Sequence, residues 1–245
     1  MAKRSSLNKT EELQRIIAGR DKLYSVIAHD LRSPMGSIKM VLNMLMLNLP
    51  VEKIGGEMYE LLTMANRTTE DVFSLLDNLL KWTKSQIGNL NVVYQDVDAV
   101  EVVDSVIDVF NMVAGLKKIT IREEKPEKLP VCTDIDMLKT IIRNLLSNAI
   151  KFSNENSEVL VKMEEQGDTV VVSVKDSGCG IDEEGQQKLL HTDTHFSTFG
   201  TNNEEGSGLG LLLCQDFAVK SGGKLWFTSK KGEGSTFYFS IPLKK

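Results

Sequence analysis

Apolar residues near the start of the chain recur in steps of three and four: Leu13, Ile17, Tyr24, Ile27 and Leu31, with Arg20 as the one break. That spacing predicts a helix with a coiled-coil seam. Pro34 predicts an interruption and a kink, because proline brings no N–H and crowds the preceding turn. The stripe resumes at Met35, Ile38, Val41, Leu42, Leu45 and Leu49. Pro50 and the Gly55-Gly56 pair mark a turn. A second stripe follows at Met58, Leu61, Ala65, Thr68, Val72, Leu75, Leu79 and Trp82. Two long helices joined by a short loop make an antiparallel hairpin. Leu42, Leu45, Met46, Leu62, Leu76 and Leu80 form a second apolar flank that one hairpin leaves uncovered. Two hairpins paired in a four-helix bundle would cover it, so a homodimer is expected.

Around Ile87–Leu90 the pattern changes. Val97–Ala114 reads as helix, Lys118–Arg122 and Pro130–Cys132 as short strands. Asp134–Phe152 is strongly amphipathic, with Asp134 at the N-cap. Glu158–Glu164 and Thr169–Lys175 alternate as a hairpin around Gly167-Asp168. Leu209–Ser221 is helical and stops at Gly222-Gly223. Lys224–Ser229 and Ser235–Ile241 form a last hairpin. Paired strands with helices between them predict an α/β sandwich. His191–Gly208 shows no periodicity, and a loop of that length inside a compact domain is usually a functional lid or disordered.

At 245 residues the chain is long enough for two such domains. A net charge of −5 argues against a nucleic-acid groove, so no nucleic-acid partner is expected. No run approaches the ~18 apolar residues of a membrane span. Cys132, Cys179 and Cys214 are odd in number and lack metal-ligand spacing, which reads as reduced thiols in a cytosolic compartment.

The candidate chemistry sits in four short strings. In the first helix, His29 falls on the face away from the seam, beside Asp30. A neutral imidazole is a competent nucleophile near pH 7, and a neighbouring carboxylate can orient it or accept its proton. In Asp134–Phe152, Asn144, Asn148 and Lys151 share one helix face. Two carboxamides and an ammonium can hold phosphates and a hydrated Mg2+, which prefers oxygen ligands. Asp176-Ser177-Gly178-Cys179-Gly180-Ile181 follows a strand directly. Gly206-Ser207-Gly208-Leu209-Gly210 opens a helix, where unsatisfied N–H groups attract phosphate. No βαβ unit surrounds it, which argues against a dinucleotide fold.

Together and in this order, the strings resemble the sensor histidine kinases. His29-Asp30-Leu31-Arg32-Ser33-Pro34 is similar to their H-box, with Asp30 for the usual Glu and Ser33 for Thr. Asn144 to Phe152 resembles the N-box, and Asp176 to Ile181 the first glycine box. Gly206 to Gly210 resembles the second glycine box, which makes the preceding loop an ATP lid with Phe196 as its aromatic anchor. Ser197-Thr198-Phe199-Gly200-Thr201 resembles a lid variant, and this lid contains no Lys or Arg. Gly232 to Phe237 matches the family's closing hairpin, read as structural.

The resemblance implies a fold of helical hairpin followed by a Bergerat-type α/β sandwich. Its boundaries are a lead-in or signalling coiled coil over 1–20, a dimerisation and phosphotransfer hairpin over 21–88, and an ATP-binding domain over 89–245. It implies Mg·ATP as cofactor and autophosphorylation of His29, assisted by Asp30. The phosphoryl group then passes to an aspartate of a response regulator, and Ser33 stands where the family positions water for phosphatase activity. ATP would be held by Asn144, Asn148, Lys151, Phe152, Asp176, Gly178, Gly180, Ile181, Phe196, Gly206, Gly208, Leu209 and Gly210, with Asn148 also on the metal. The family's sensor lies upstream, so the chain is expected to be the cytoplasmic end of a membrane-linked receptor. Two other readings stand beside this one. An ATPase of the same nucleotide fold would need a water-activating glutamate where Asn144 stands. A non-catalytic signalling dimer would bind nucleotide without labelling His29.

Overall fold

The computed structural model describes residues 27, 30–49, 55–86, 92–189, 200–201 and 208–243. The expected lead-in over 1–20, the stripe from Leu13 to Tyr24 and most of the expected lid lie outside them. The described residues fall into two compact units on either side of the Asn91–Val92 junction.

The first unit is a pair of helices, α1 (30–48) and α2 (Gly56–Gln86). Arg32 pairs with Asp77 at 2.6 Å and Lys39 with Glu70 at 3.3 Å. Between them the Phe73 ring lies 3.6 Å from where a Cβ on Gly36 would stand. Contacts that rise along α1 therefore fall along α2, so the helices run antiparallel. Leu76 and Leu80 are buried beneath Met35 and Leu79. Ile38, Val41, Leu61, Met64 and Val72 remain exposed. Helix α1 runs unbroken through Pro34, where the sequence pattern predicted an interruption. One missing N–H does not end a helix whose neighbouring turns are held by Arg32–Asp77 and by Met35.

In the second unit, a five-stranded sheet has the order β2-β4-β5-β7-β6. Its strands are β2 (Thr120–Glu124), β4 (Glu158–Gln166), β5 (Thr169–Lys175), β6 (Leu225–Lys230) and β7 (Gly234–Pro242). Strand β2 pairs parallel with β4, and the other pairings are antiparallel. A two-stranded antiparallel ribbon joins β1 (Gln95–Asp98) to β3 (Pro130–Thr133). The helices are α3 (Ala99–Leu116), α4 (Ile135–Phe152), the short α5 (Glu183–Lys188) and α6 (Leu209–Lys220). Helix α4 packs against both α3 and α6 and reaches β5. Its stripe Leu138, Ile141, Ile142, Leu145, Leu146 and Ala149 is buried, as are Val159, Val161, Val172 and Phe239 of the sheet. Each of these Leu, Ile, Val and Phe side chains contributes about 1.5–3 kcal/mol by leaving water.

Several expected boundaries move for physical reasons. Val97 opens no helix, because it pairs with Val131 in β1, and Asp98 caps α3 by accepting from Val100 N. Strand β2 starts at Thr120 rather than Lys118, because Lys118 adopts a left-handed φ of 55°. Its N–H bonds Gly115 O at 3.0 Å while Ile119 N bonds Ala114 O at 2.9 Å, a Schellman turn that ends α3. Ribbon strand β1 and helix α5 carry too few residues to show a period.

Asp134 caps α4 as expected, with Oδ1 accepting from Asp136 N at 2.9 Å and Met137 N at 3.1 Å. Its Oδ2 also accepts from Val93 N, at the entry to this unit. Asp134→Ala removes all three bonds. We expect stability lower by about 1–2 kcal/mol, measured by denaturant unfolding, with an unchanged m-value.

Candidate functional site

Strand β5 ends at Lys175, and the chain then turns sharply through Asp176. The Asp176 side chain is only 4% exposed. Its Oδ1 accepts from Gly178 N at 2.9 Å and Ser235 N at 3.2 Å. Its own N–H donates to Ser235 O at 2.9 Å. Among the described residues Oδ2 accepts nothing, so one carboxylate oxygen is fixed and the other is open to an incoming donor. Burial raises the Asp176 pKa, opposed by the two N–H groups.

Three glycines make this arrangement possible, because other backbone occupies the space of their missing side chains. A Cβ on Gly178 would stand 2.0 Å from Phe152 O, one on Gly180 2.0 Å from Lys230 O, and one on Gly234 2.2 Å from Asp176 O. The loop is thereby clamped between the end of α4 and the β6–β7 hairpin. Cys179 N donates to Phe152 O at 3.3 Å, and Cys179 O accepts from Gly232 N at 2.7 Å. Ile181 N donates to Ser229 Oγ at 2.8 Å. The closing hairpin, read from sequence as structural, thus also holds the Asp176 carboxylate. Ser229 carried no signal, and the Gly-x-Gly-Ser-Thr-Phe string was the pointer to Ser235.

On α4, Asn144 and Asn148 are half-buried, as are Lys151 and Phe152. Asn144 donates from Nδ2 to Thr140 O at 2.9 Å. Its Oδ1 lies 2.7 Å from where a Cβ on Gly210 would stand, so α6 begins directly against it. Gly208 caps α6 in a left-handed conformation, φ 68°, without a side-chain hydrogen bond. The first turn of α6 consequently presents backbone N–H groups and the positive end of its dipole, as a phosphate site requires. Lys151 Nζ lies 4.9 Å from the centroid of the Phe152 ring.

The structure therefore brings together Asn144 with Gly210, and Phe152 with Gly178 and the Asp176 loop. Leu209 opens α6 between Gly208 and Gly210, and Asn148 stands one turn beyond Asn144 on α4. His29, Phe196 and Gly206 lie outside the described residues. Asp30 and Ser33 belong to the other unit, on the exposed face of α1, where Ser33 O accepts from Ser37 Oγ at 3.3 Å. Among the described residues no group of His, Cys, Asp or Glu is placed to hold a metal.

Residues 133–245 match the family of histidine kinase-, DNA gyrase B- and HSP90-like ATPases. The adaptive-response sensory kinase SasA of Crocosphaera subtropica is 29% identical over 95% of this chain and 62% of its own length. The chain thus spans about three-fifths of that relative. The catalytic domain of histidine kinase ThkA is 30% identical, with a TM-score of 0.54, over 62% of this chain and 96% of its own. Full-length ShkA, solved in complex with AMPPNP, shares the fold at a TM-score of 0.69 and 21% identity, over 91% of this chain and 46% of its own.

The buried Asp176 gives a stability test of the site. A carboxyl with a raised folded-state pKa binds its proton more tightly when folded, so stability falls as pH rises from 3.8 through the raised value. Asp176→Asn removes that fall. We expect the variant to melt higher than the parent at pH 7, with the gap closing below pH 3.8, by thermal unfolding across pH.

Proposed function

We propose that this chain, which belongs to the sensor histidine kinase family, is an ATP-dependent kinase that phosphorylates its own His29. The observation that carries the reading is Asp176: a buried carboxylate with one oxygen fixed by two backbone N–H groups and the other open, as recognition of an adenine amino group requires. The phosphates would lie at the first turn of α6, beside Asn144 and Asn148. The Asn148 carboxamide oxygen is a hard neutral ligand, which suits a Mg2+ held mainly by phosphates and water. That cation would neutralise phosphate charge during transfer.

In the first step His29 attacks the γ-phosphorus. The N–P bond forms, the bond to the β–γ bridging oxygen breaks and ADP leaves. The imidazole proton passes to the Asp30 carboxylate. Catalysis is then largely positioning and charge neutralisation. The phosphoryl group passes next to an aspartate carboxylate of a response regulator, regenerating His29. The Ser33 hydroxyl, four residues past His29 in the sequence, would orient water against the phosphorylated regulator.

Direct hydrolysis of ATP is disfavoured, because Asn144 stands where a general base would be needed and its amide is bound to Thr140 O. The exposed apolar residues of α1 and α2 support a homodimer in which two hairpins form a four-helix bundle. No described helix is long and apolar enough to cross a membrane. We place the chain on the cytoplasmic side of a receptor whose sensor lies elsewhere.

Transfer from γ-labelled ATP with Mg2+ tests the reaction. We expect acid-labile, base-stable label on the parent and none on His29→Gln or Asn148→Ala. ATP binding without label on the parent would favour the signalling scaffold. Asp176→Asn should weaken ATP binding at least tenfold, since a charge-assisted bond contributes about 1.5–3 kcal/mol. Sedimentation should give twice the 27.3 kDa monomer mass at micromolar concentration. A monomer there would overturn the dimer.

A further inference from the structure

Lys117, at the end of α3, is 7% exposed, which is unusual for a lysine. It sits at the C-cap of α3, just before the left-handed residue of the Schellman turn. Lys118 takes the left-handed position and Ile119 is buried, while the Lys117 side chain reaches the end of α4. Its ammonium donates to Ile150 O at 3.0 Å, Lys151 O at 2.9 Å and Thr201 Oγ1 at 2.5 Å. Thr201 adds its own bonds to the same turn. Its N–H donates to Lys151 O at 3.2 Å, and its hydroxyl lies 2.8 Å from Ser153 O and 3.1 Å from Lys151 O.

A chain of backbone contacts links this cluster to Asp176. The carbonyl next to Lys151 is that of Phe152, which receives Cys179 N and abuts Gly178. Gly178 N in turn holds Asp176 Oδ1. We propose that Lys117 and Thr201 are positioning residues for ATP. Together they fix the last turn of α4, and that turn fixes both the Lys151–Phe152 pair and the Asp176 loop against the nucleotide. The inference rests on the ATP reading above and assigns Lys117 no contact with the nucleotide.

Calorimetric titration of the full chain with Mg·ATP tests it, using Thr201→Val, Thr201→Ser, Lys117→Met and the Lys117→Met/Thr201→Val double variant. Thr201 is exposed as a residue, so the valine variant should keep its melting temperature within a few degrees. We expect Thr201→Val to raise Kd for ATP about five- to tenfold. Thr201→Ser, which keeps the hydroxyl, should restore it to within twofold. The double variant should bind no worse than about twofold below the weaker single, because both side chains act on the same carbonyls. A folded Thr201→Val protein with parental Kd overturns the proposal. Equal weakening in the serine and valine variants overturns it too, since the hydroxyl would then be irrelevant. A folded parent that fails to bind ATP overturns the nucleotide reading itself, and the inference with it.

Discussion

The last turn of any α-helix leaves carbonyls without intrahelical donors, and in α4 those carbonyls are where the second unit is tied together. Ile150 and Lys151 accept from Lys117, Lys151 and Ser153 accept from Thr201, and Phe152 accepts from Cys179. Three segments remote in sequence are thus held on one helix end. They are the close of α3, the middle of the expected lid, and the loop that carries Asp176. Helix α4 can serve as this anchor because its other face is buried between α3, α6 and the sheet. Burial of Leu138, Ile142, Leu145 and Leu146 fixes its position, and the polar contacts at its end convert that rigidity into geometry.

The Asp176 loop shows how close packing and electrostatics are set against each other. Backbone approaches backbone so closely at Gly178, Gly180 and Gly234 that no Cβ fits. That approach removes water from the carboxylate and raises its pKa. The two N–H groups on Oδ1 offset part of the penalty. An apo protein therefore carries a carboxylate that is uncomfortable when charged and gains a partner when a donor meets Oδ2. Sites often hold such strain, and here it comes from desolvation rather than from distorted backbone.

The hairpin unit follows a different logic. Its described core is small, centred on Leu76 and Leu80, and one side is fastened by Arg32–Asp77, Lys81–Asp77 and cation contacts to Phe73. These partly exposed pairs each contribute little, on the order of 0–1 kcal/mol. Most of the apolar seam faces outward. Little of the hairpin's stability can therefore come from within one copy.

Much of this was legible in the sequence, because the signals were local. The three/four stripes located α1 and α2, and the period and Asp134 cap located α4. Alternation located β4, β5 and β7. The strings around Asn144, Asp176 and Gly208 carried the proposed nucleotide chemistry, since each lies within one turn or one loop. What only the tertiary structure decided involves contacts between distant residues. The parallel pairing of β2 with β4 and the β1–β3 ribbon have no periodic signature. Ser235 meets Asp176 across 59 residues, and Lys117 meets Thr201 across 84. Periodicity reports which face of an element is apolar, and that face is set by neighbours three, four or two positions away. It does not report which carbonyl a lysine reaches from the end of a helix. That depends on how buried faces stack, and stacking exists only once the chain has folded.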